Sequence, residues 1–194
     1  MANVMQTFVK VKNCNEHILA LVKELVLPKS GDVDVTTIDI INRLYDTDYE
    51  WDYELREGTW PSKEFMDEFI GSKWISIQDD VHDEDSCNFI IETAWSVPIP
   101  FLQNLANKLG SFKEDCYLVG TYEDESYSPI GAFVFGKDYD DIEDFDEEVD
   151  TDRMWDDDDY RESIFDELNY HKESLESGFI EYLVDRKNNP QDYE

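Results

Sequence analysis

Between Val4 and Val11 apolar and polar residues alternate in a run rich in β-formers, the period of a half-buried strand. From Asn13 to Leu27 the period lengthens. Ile18, Leu21, Val22 and Leu25 share one helical face, Asn13 and Glu16 stand at capping-box spacing, and Pro28 ends the helix. Thr36 to Leu44 reads as a second short helix with Ile38, Ile41 and Leu44 inward. Residues 45 to 70 form an irregular, aromatic-rich insertion (Tyr45, Tyr49, Trp51, Tyr53, Trp60), closed by a short helix from Pro61 to Ile70.

Two β-rich runs follow, SKWISIQ (Ser72 to Gln78) and NFIIETAW (Asn88 to Trp95), on either side of the acidic turn DDVHDED. Pro98 and Pro100 suit the first turn of a helix that runs to Leu109 and stops at Gly110. CYLVGTYED (Cys116 to Asp124) and PIGAFVFGKD (Pro129 to Asp138) then read as a second hairpin. This order of elements predicts an α+β fold: a ferredoxin-like β-α-β-β-α-β core with one extra strand.

At Asp138 the composition changes. Residues 1–137 hold 25 acids and 11 bases, whereas residues 138–194 hold 23 acids and only 5 bases. The reading is therefore a ferredoxin-like domain over 1–137 and an acidic extension over 138–194. In the extension Ile164, Phe165, Leu168, Leu175, Phe179, Leu183 and Val184 recur at helical spacing, predicting an amphipathic helix or helix pair with a break at Ser177-Gly178.

Charge narrows the function more than length does. With 48 acids against 16 bases the formal charge is −32, which repels nucleic acid and anionic lipid and argues against direct binding of either. A hydrophobic fraction of 41% is still enough for a core without disulfide staples. Cys14, Cys87 and Cys116 form no C-x-x-C pair and read as thiols of a reducing cytosol. The N-terminal residues lack the apolar core of a signal peptide, and no apolar run approaches 18 residues, so a soluble cytoplasmic protein is expected. The oligomeric state is not readable from these features.

GSKWISI (Gly71 to Ile77), IETAWSVPIPFLQNLANKLG (Ile91 to Gly110), YLVGTYEDE and IGAFVFG together resemble the YubB-type ferredoxin-like proteins encoded by phages and plasmids. Those proteins carry a Gly-Thr-Lys-Trp segment and a Thr-Ala-Trp-Ser-x-Pro segment before a helix, the latter matched at Thr93 to Pro98. The resemblance covers about residues 1–138 and is strongest over 71–136. Their usual N-terminal Trp-Cys is replaced here by Val4-Met5. The resemblance implies the fold and a mobile-element origin, carries no common activity, and casts Trp74, Trp95, Ser96 and Pro98 as structural, with both tryptophans packing a helix onto the sheet.

Catalytic and metal motifs are missing from the sequence. Counted from Asp144, an EF-hand loop would need glycine at its sixth position and glutamate at its twelfth, where Val149 and Trp155 stand. His17, His82 and His171 fall on different elements, and Ser96 lacks the flanking glycines of a nucleophile elbow. Neither a cofactor, a dedicated metal nor a catalytic residue is expected. The acidic turn Asp79, Asp80, Asp83, Glu84 and Asp85 leaves a divalent-metal enzyme as one alternative reading.

The stretch from Asp138 to Asp159 holds fourteen carboxylates and one base, Arg153, yet interleaves Tyr139, Ile142, Phe145, Val149, Met154 and Trp155, unlike a disordered acidic tail. As one helix it would span roughly 33 Å, with a carboxylate every ~2.4 Å. Duplex DNA presents one charge per about 1.7 Å. Tyr139, Ile142, Phe145 and Val149 would form the docking face. The expected function is therefore a nucleic-acid mimic that occupies the basic site of a host DNA- or RNA-binding protein. Its partner-binding residues would be Asp138, Asp140, Asp141, Glu143, Asp144, Asp146, Glu147, Glu148, Asp156, Asp157, Asp158 and Asp159, with Trp155 as an aromatic anchor. Tyr139 and Phe145 are further candidate anchors, and the 79–85 turn a secondary patch. A second alternative is an assembly protein that binds a basic partner without competing with DNA.

Overall fold

The structure, a computed structural model, describes residues 3–26, 35–52, 54–79, 87–145 and 149–193. The chain opens with β1 (Val4–Lys12) and α1 (Glu16–Val26). Asn15 caps α1, its Oδ1 accepting from the Ile18 N–H at 2.9 Å. The capping box expected at Asn13 is not formed. Asn13 sits in the left-handed region at φ 56° and donates its side-chain amide to the Asp115 carbonyl instead. Helix α2 (Thr37–Tyr45) carries a complete capping box between Thr36 and Asp39.

The aromatic insertion holds a two-stranded hairpin, β2 (Trp51–Asp52) with β3 (Glu57–Gly58). Helix α3 (Lys63–Phe65) then runs directly into a π-helical turn, Met66–Ile70, which Gly71 closes at φ 79°. Next come β4 (Ile75–Asp79), β5 (Asn88–Ala94), α4 (Ile99–Phe112), β6 (Tyr117–Asp124), β7 (Ile130–Gly136) and β8 (Tyr139–Asp144). The chain finishes with α5 (Thr151–Asp156), α6 (Asp158–Asn188) and a 3₁₀ turn at Pro190–Asp192.

One antiparallel sheet runs β4-β5-β1-β6-β7-β8. Its first four strands reproduce the ferredoxin-like arrangement, with β1 in the middle: Phe8 stands opposite Ile90 on one side and Thr121 on the other. Two strands are added beyond β6, where the pattern predicted one. The second addition, β8, is built from YDDIED, a strand where the sequence predicts an acidic helix. It pairs with β7 from Gly131↔Asp144 to Gly136↔Tyr139. The sheet therefore continues past the composition boundary at Asp138.

Each face of the sheet has its own core. On one face α1, α2 and α4 cover Met5, Val9, Ile75, Ile77, Phe89, Ile91, Leu118, Phe133 and Phe135. On the other, α5 and α6 cover Tyr117, Val119, Ile130, Ala132 and Val134 with Met154, Ile164, Leu168, Leu175 and Phe179. Alternation along β6 and β7 supplies both cores from the same strands.

Both expected glycine stops fail. Helix α4 continues through Gly110, where a Cβ would stand 2.5 Å from that of Lys137; the glycine permits close approach of the β7–β8 turn. Helix α6 runs unbroken through Ser177-Gly178 for 31 residues, about 46 Å. Buried Leu175 and Phe179 bracket Gly178, so packing outweighs the ~1 kcal/mol propensity cost of an interior glycine.

The β1–α1 junction also brings two distant thiols together. Cys116 and then Lys113 lower the Cys14 pKa, although burial opposes them.

Candidate functional site

The acidic run is divided among three elements and is not one helix. Along β8 the side chains alternate. Tyr139 turns toward α6, its ring 5.0 Å from that of Phe179 and 4.7 Å from that of Tyr182. Burial, followed by the charge of Asp141, raises the Tyr139 pKa. Ile142 points the other way, against the larger core. Asp140, Asp141 and Asp144 are exposed along this edge strand, where charge discourages pairing with a further strand. Glu143 is partly covered by α6, with His171 Nδ1 2.9 Å from its Oε2. Asp144 accepts a hydrogen bond from Tyr122 Oη.

Asp138 occupies the left-handed position of the β7–β8 turn at φ 59°, a conformation aspartate tolerates better than most residues. Its N–H donates to Asn107 Oδ1 at 3.0 Å, and its carboxylate lies 3.8 Å from Arg186. Asp146, Glu147 and Glu148 lie outside the described residues. So do Asp80, Asp83, Glu84 and Asp85 of the secondary patch, while Asp79 ends β4. Among the described residues no cluster of three or more His, Cys, Asp or Glu side chains is placed to hold a metal ion.

At the α5–α6 junction several acids have structural work. Asp150 caps α5 by accepting from the Arg153 N–H, and Asp157 caps α6 by accepting from the Tyr160 N–H at 3.0 Å. Asp157 also pairs with Arg153 at 2.9 Å, which holds its pKa below the ordinary carboxylate range. Asp158 pairs with Arg161. Asp156 and Asp159 project into solvent. Trp155 is 60% exposed, with one side of its indole against Tyr127 at 5.1 Å between centroids. Phe145, at 5% exposure, is a core residue, and Tyr139 is spent on α6, so neither is an anchor for a partner.

The acidic surface continues along α6, as the run of acids from Glu162 to Glu181 implies. The outer side of the helix exposes Asp158, Asp159, Glu162, Asp166, Glu167, Glu173, Glu181 and Asp185. They span about 40 Å, or one carboxylate every 5–6 Å, against about 3.4 Å per phosphate on one DNA strand. Helix α6 alone is thus sparser than a nucleic-acid strand, and β8 and α5 supply the additional charge. The density inferred from a single helix over Asp138 to Asp159 does not apply, because strand β8 takes the first third of that stretch.

One of the two motif tryptophans differs from expectation. Trp74 is partly buried, but Trp95 is 57% exposed, at φ 65°, with the Lys73 ammonium 5.8 Å from its ring centroid. It does not pack a helix onto the sheet.

Fold and charge together define an acidic α+β protein with a ferredoxin-like core and a helical C-terminal layer. Residues 73–166, just under half of the chain, match the family described as the ferredoxin-like domain in Api92-like protein. That match runs from the start of β4 into α6 and so includes both added strands. No curated protein and no solved structure matches the chain. Among the described residues no helix is long and apolar enough to cross a membrane.

Proposed function

We propose that this is a non-enzymatic, cytoplasmic protein of phage or plasmid type whose acidic layer mimics nucleic acid and occupies the basic site of a host DNA- or RNA-binding protein. The observation that supports the reading most is that the acids ride on a folded layer. Met154, Ile164, Leu168, Leu175 and Phe179 bury α5 and α6 against the sheet, so the carboxylates stand on rigid elements and not on a solvated tail. A partner then gains their charge without the cost of ordering a flexible chain. Only five bases lie beyond residue 137, and Arg153 and Arg161 are committed to Asp157 and Asp158. The remaining surface keeps its negative potential, which steers a cationic partner into fast encounter and weakens as salt screens it.

Affinity capture from nuclease-treated host lysate tests the proposal. The bait carries either five layer substitutions (Asp140→Asn, Asp156→Asn, Asp159→Asn, Glu162→Gln, Asp166→Asn) or five charge-matched ones elsewhere (Glu16→Gln, Glu24→Gln, Glu54→Gln, Glu57→Gln, Glu68→Gln). All ten acids are exposed. A nucleic-acid-binding protein should be retained by wild type and the second variant, released as salt rises, and lost from the first. Equal retention by both variants would show that net charge, not this layer, does the binding. A retained partner that duplex DNA cannot displace would favour the assembly reading.

A further inference from the structure

At the opposite edge of the sheet from the acidic layer lies a cleft of about 510 Å³, walled by Trp60, Pro61 and Met66 on one side and by Gly71–Lys73 with Ala94–Ser96 on the other. Its size is within the range of small-ligand sites. Strand order separates it from β8 by five strand spacings, about 24 Å. It is therefore independent of the surface described above.

Two of the four segments that carry the sequence resemblance, Gly71 to Ile77 and Ile91 to Gly110, meet here and are fastened to each other. Ser72 Oγ donates to the Ala94 carbonyl at 3.0 Å and accepts from the Ala94 N–H at 3.1 Å. Ser96 Oγ donates to the Gly71 carbonyl at 2.8 Å, and Thr93 Oγ1 donates to the Ser96 carbonyl at 2.6 Å. The Trp95 N–H donates to the Asn3 carbonyl at 3.1 Å. This network holds a tryptophan at φ 65°, a strained backbone region that bulky residues rarely adopt. What the strain achieves is outward display of the indole, which is more than half exposed. A residue kept only for packing would be turned in. The start of the π-helical turn, Met66 and Asp67, forms part of the facing wall.

The polar groups of the cleft decide the ligand. Both serine hydroxyls are engaged with backbone, and Lys63 is paired with Asp67. Among the described residues that leaves apolar and aromatic faces with one cation, the Lys73 ammonium beside the Trp95 ring. We infer that this cleft binds a small planar aromatic ligand bearing a negative group, the ring against Trp95 and the anion on Lys73. Nucleotides and aryl carboxylates share that chemistry.

Proton–nitrogen NMR of the full chain tests the inference through its five tryptophan indole N–H signals, that of Trp95 being assigned by its loss in Trp95→Phe. The probes are AMP, indole-3-acetate, adenosine and acetate. The Trp95 signal should shift saturably with AMP, with indole-3-acetate or with both, and which of them succeeds identifies the ligand source. Acetate should leave it unmoved, adenosine should bind at least five-fold more weakly than AMP, and Lys73→Gln should weaken the anionic aromatic probe about five-fold. Lys73 is exposed, so that variant should fold as wild type does. No shift of Trp95 with either aromatic anion at millimolar concentration overturns the inference. Unchanged affinity in Lys73→Gln, or equal affinity for AMP and adenosine, overturns the role of the cation.

Discussion

The ring of Phe179 lies directly on Gly136: a Cβ at that glycine would stand 2.3 Å from Phe179 Cε2. The same ring packs against Tyr117 at 4.8 Å and Tyr139 at 5.0 Å, so one side chain of α6 joins β6, β7 and β8. Gly136→Ala should force the helix outward and cost about 1–3 kcal/mol. Phe179→Ala, which empties a fully buried site, should cost about 3–5 kcal/mol. Urea denaturation followed by near-ultraviolet circular dichroism measures both. If neither changes the midpoint, α6 is not fastened to the sheet as described.

Salt should stabilise this protein. A net charge of −32 makes the compact state repel itself, while the ion pairs that salt would weaken are mostly exposed and contribute little. Raising sodium chloride from 10 mM to 0.5 M should increase Tm by about 3 °C or more, on the order of 1 kcal/mol for a chain of this size. An unchanged or lower Tm in calorimetry would mean that the acids are compensated within the fold.

Glu123 gives a pH signature. It lies on β6 opposite Gln6, which in turn donates its side-chain amide to Glu92 on β5, and burial raises its pKa above the ordinary glutamate value of 4.5. For an acid whose pKa is higher folded than unfolded, stability is lost as pH rises above the unfolded value, because the unfolded chain releases its proton first. Glu123→Gln should therefore be more stable than wild type at pH 7, with the difference vanishing near pH 3.5. Parallel urea titrations at the two pH values provide the comparison, and a difference of equal size at both would exclude this cause.

Trp95→Gly should leave stability within about 0.5 kcal/mol of wild type, since relief of a left-handed tryptophan offsets the packing lost from a half-exposed ring. Thermal denaturation measures this. A loss of more than about 2 kcal/mol would assign Trp95 a structural role after all.

The β-α-β-β-α-β core was legible because its strands are built from β-branched and aromatic residues at period two, as in Val4 to Val11 and Asn88 to Ala94. Strand β8 was not. Asp and Glu disfavour strands, and YDDIED pairs only because β7 offers it an edge while Tyr139 and Ile142 find cores on opposite faces. The turn residues misled in a consistent way. Gly110 and Gly178 resemble helix ends, yet one admits the Lys137 side chain and the other is overridden by Leu175 and Phe179. The apolar face of α6 was readable from helical spacing, and four of its seven predicted residues are buried. No spacing in the sequence reveals a positive φ, so the display of Trp95 and its cleft became visible only in three dimensions.

The central claim, that the acidic layer competes with nucleic acid, is tested most directly by displacement. A fluorescently labelled duplex is bound to the captured host protein at about 0.1 M salt, and this protein is titrated in while anisotropy is followed. Stoichiometric release of the duplex is predicted, with the apparent affinity falling steeply as salt rises and lost when Asp140, Asp156, Asp159, Glu162 and Asp166 are neutralised. A ternary complex, seen as anisotropy that rises or stays level while both ligands remain bound, would contradict the account.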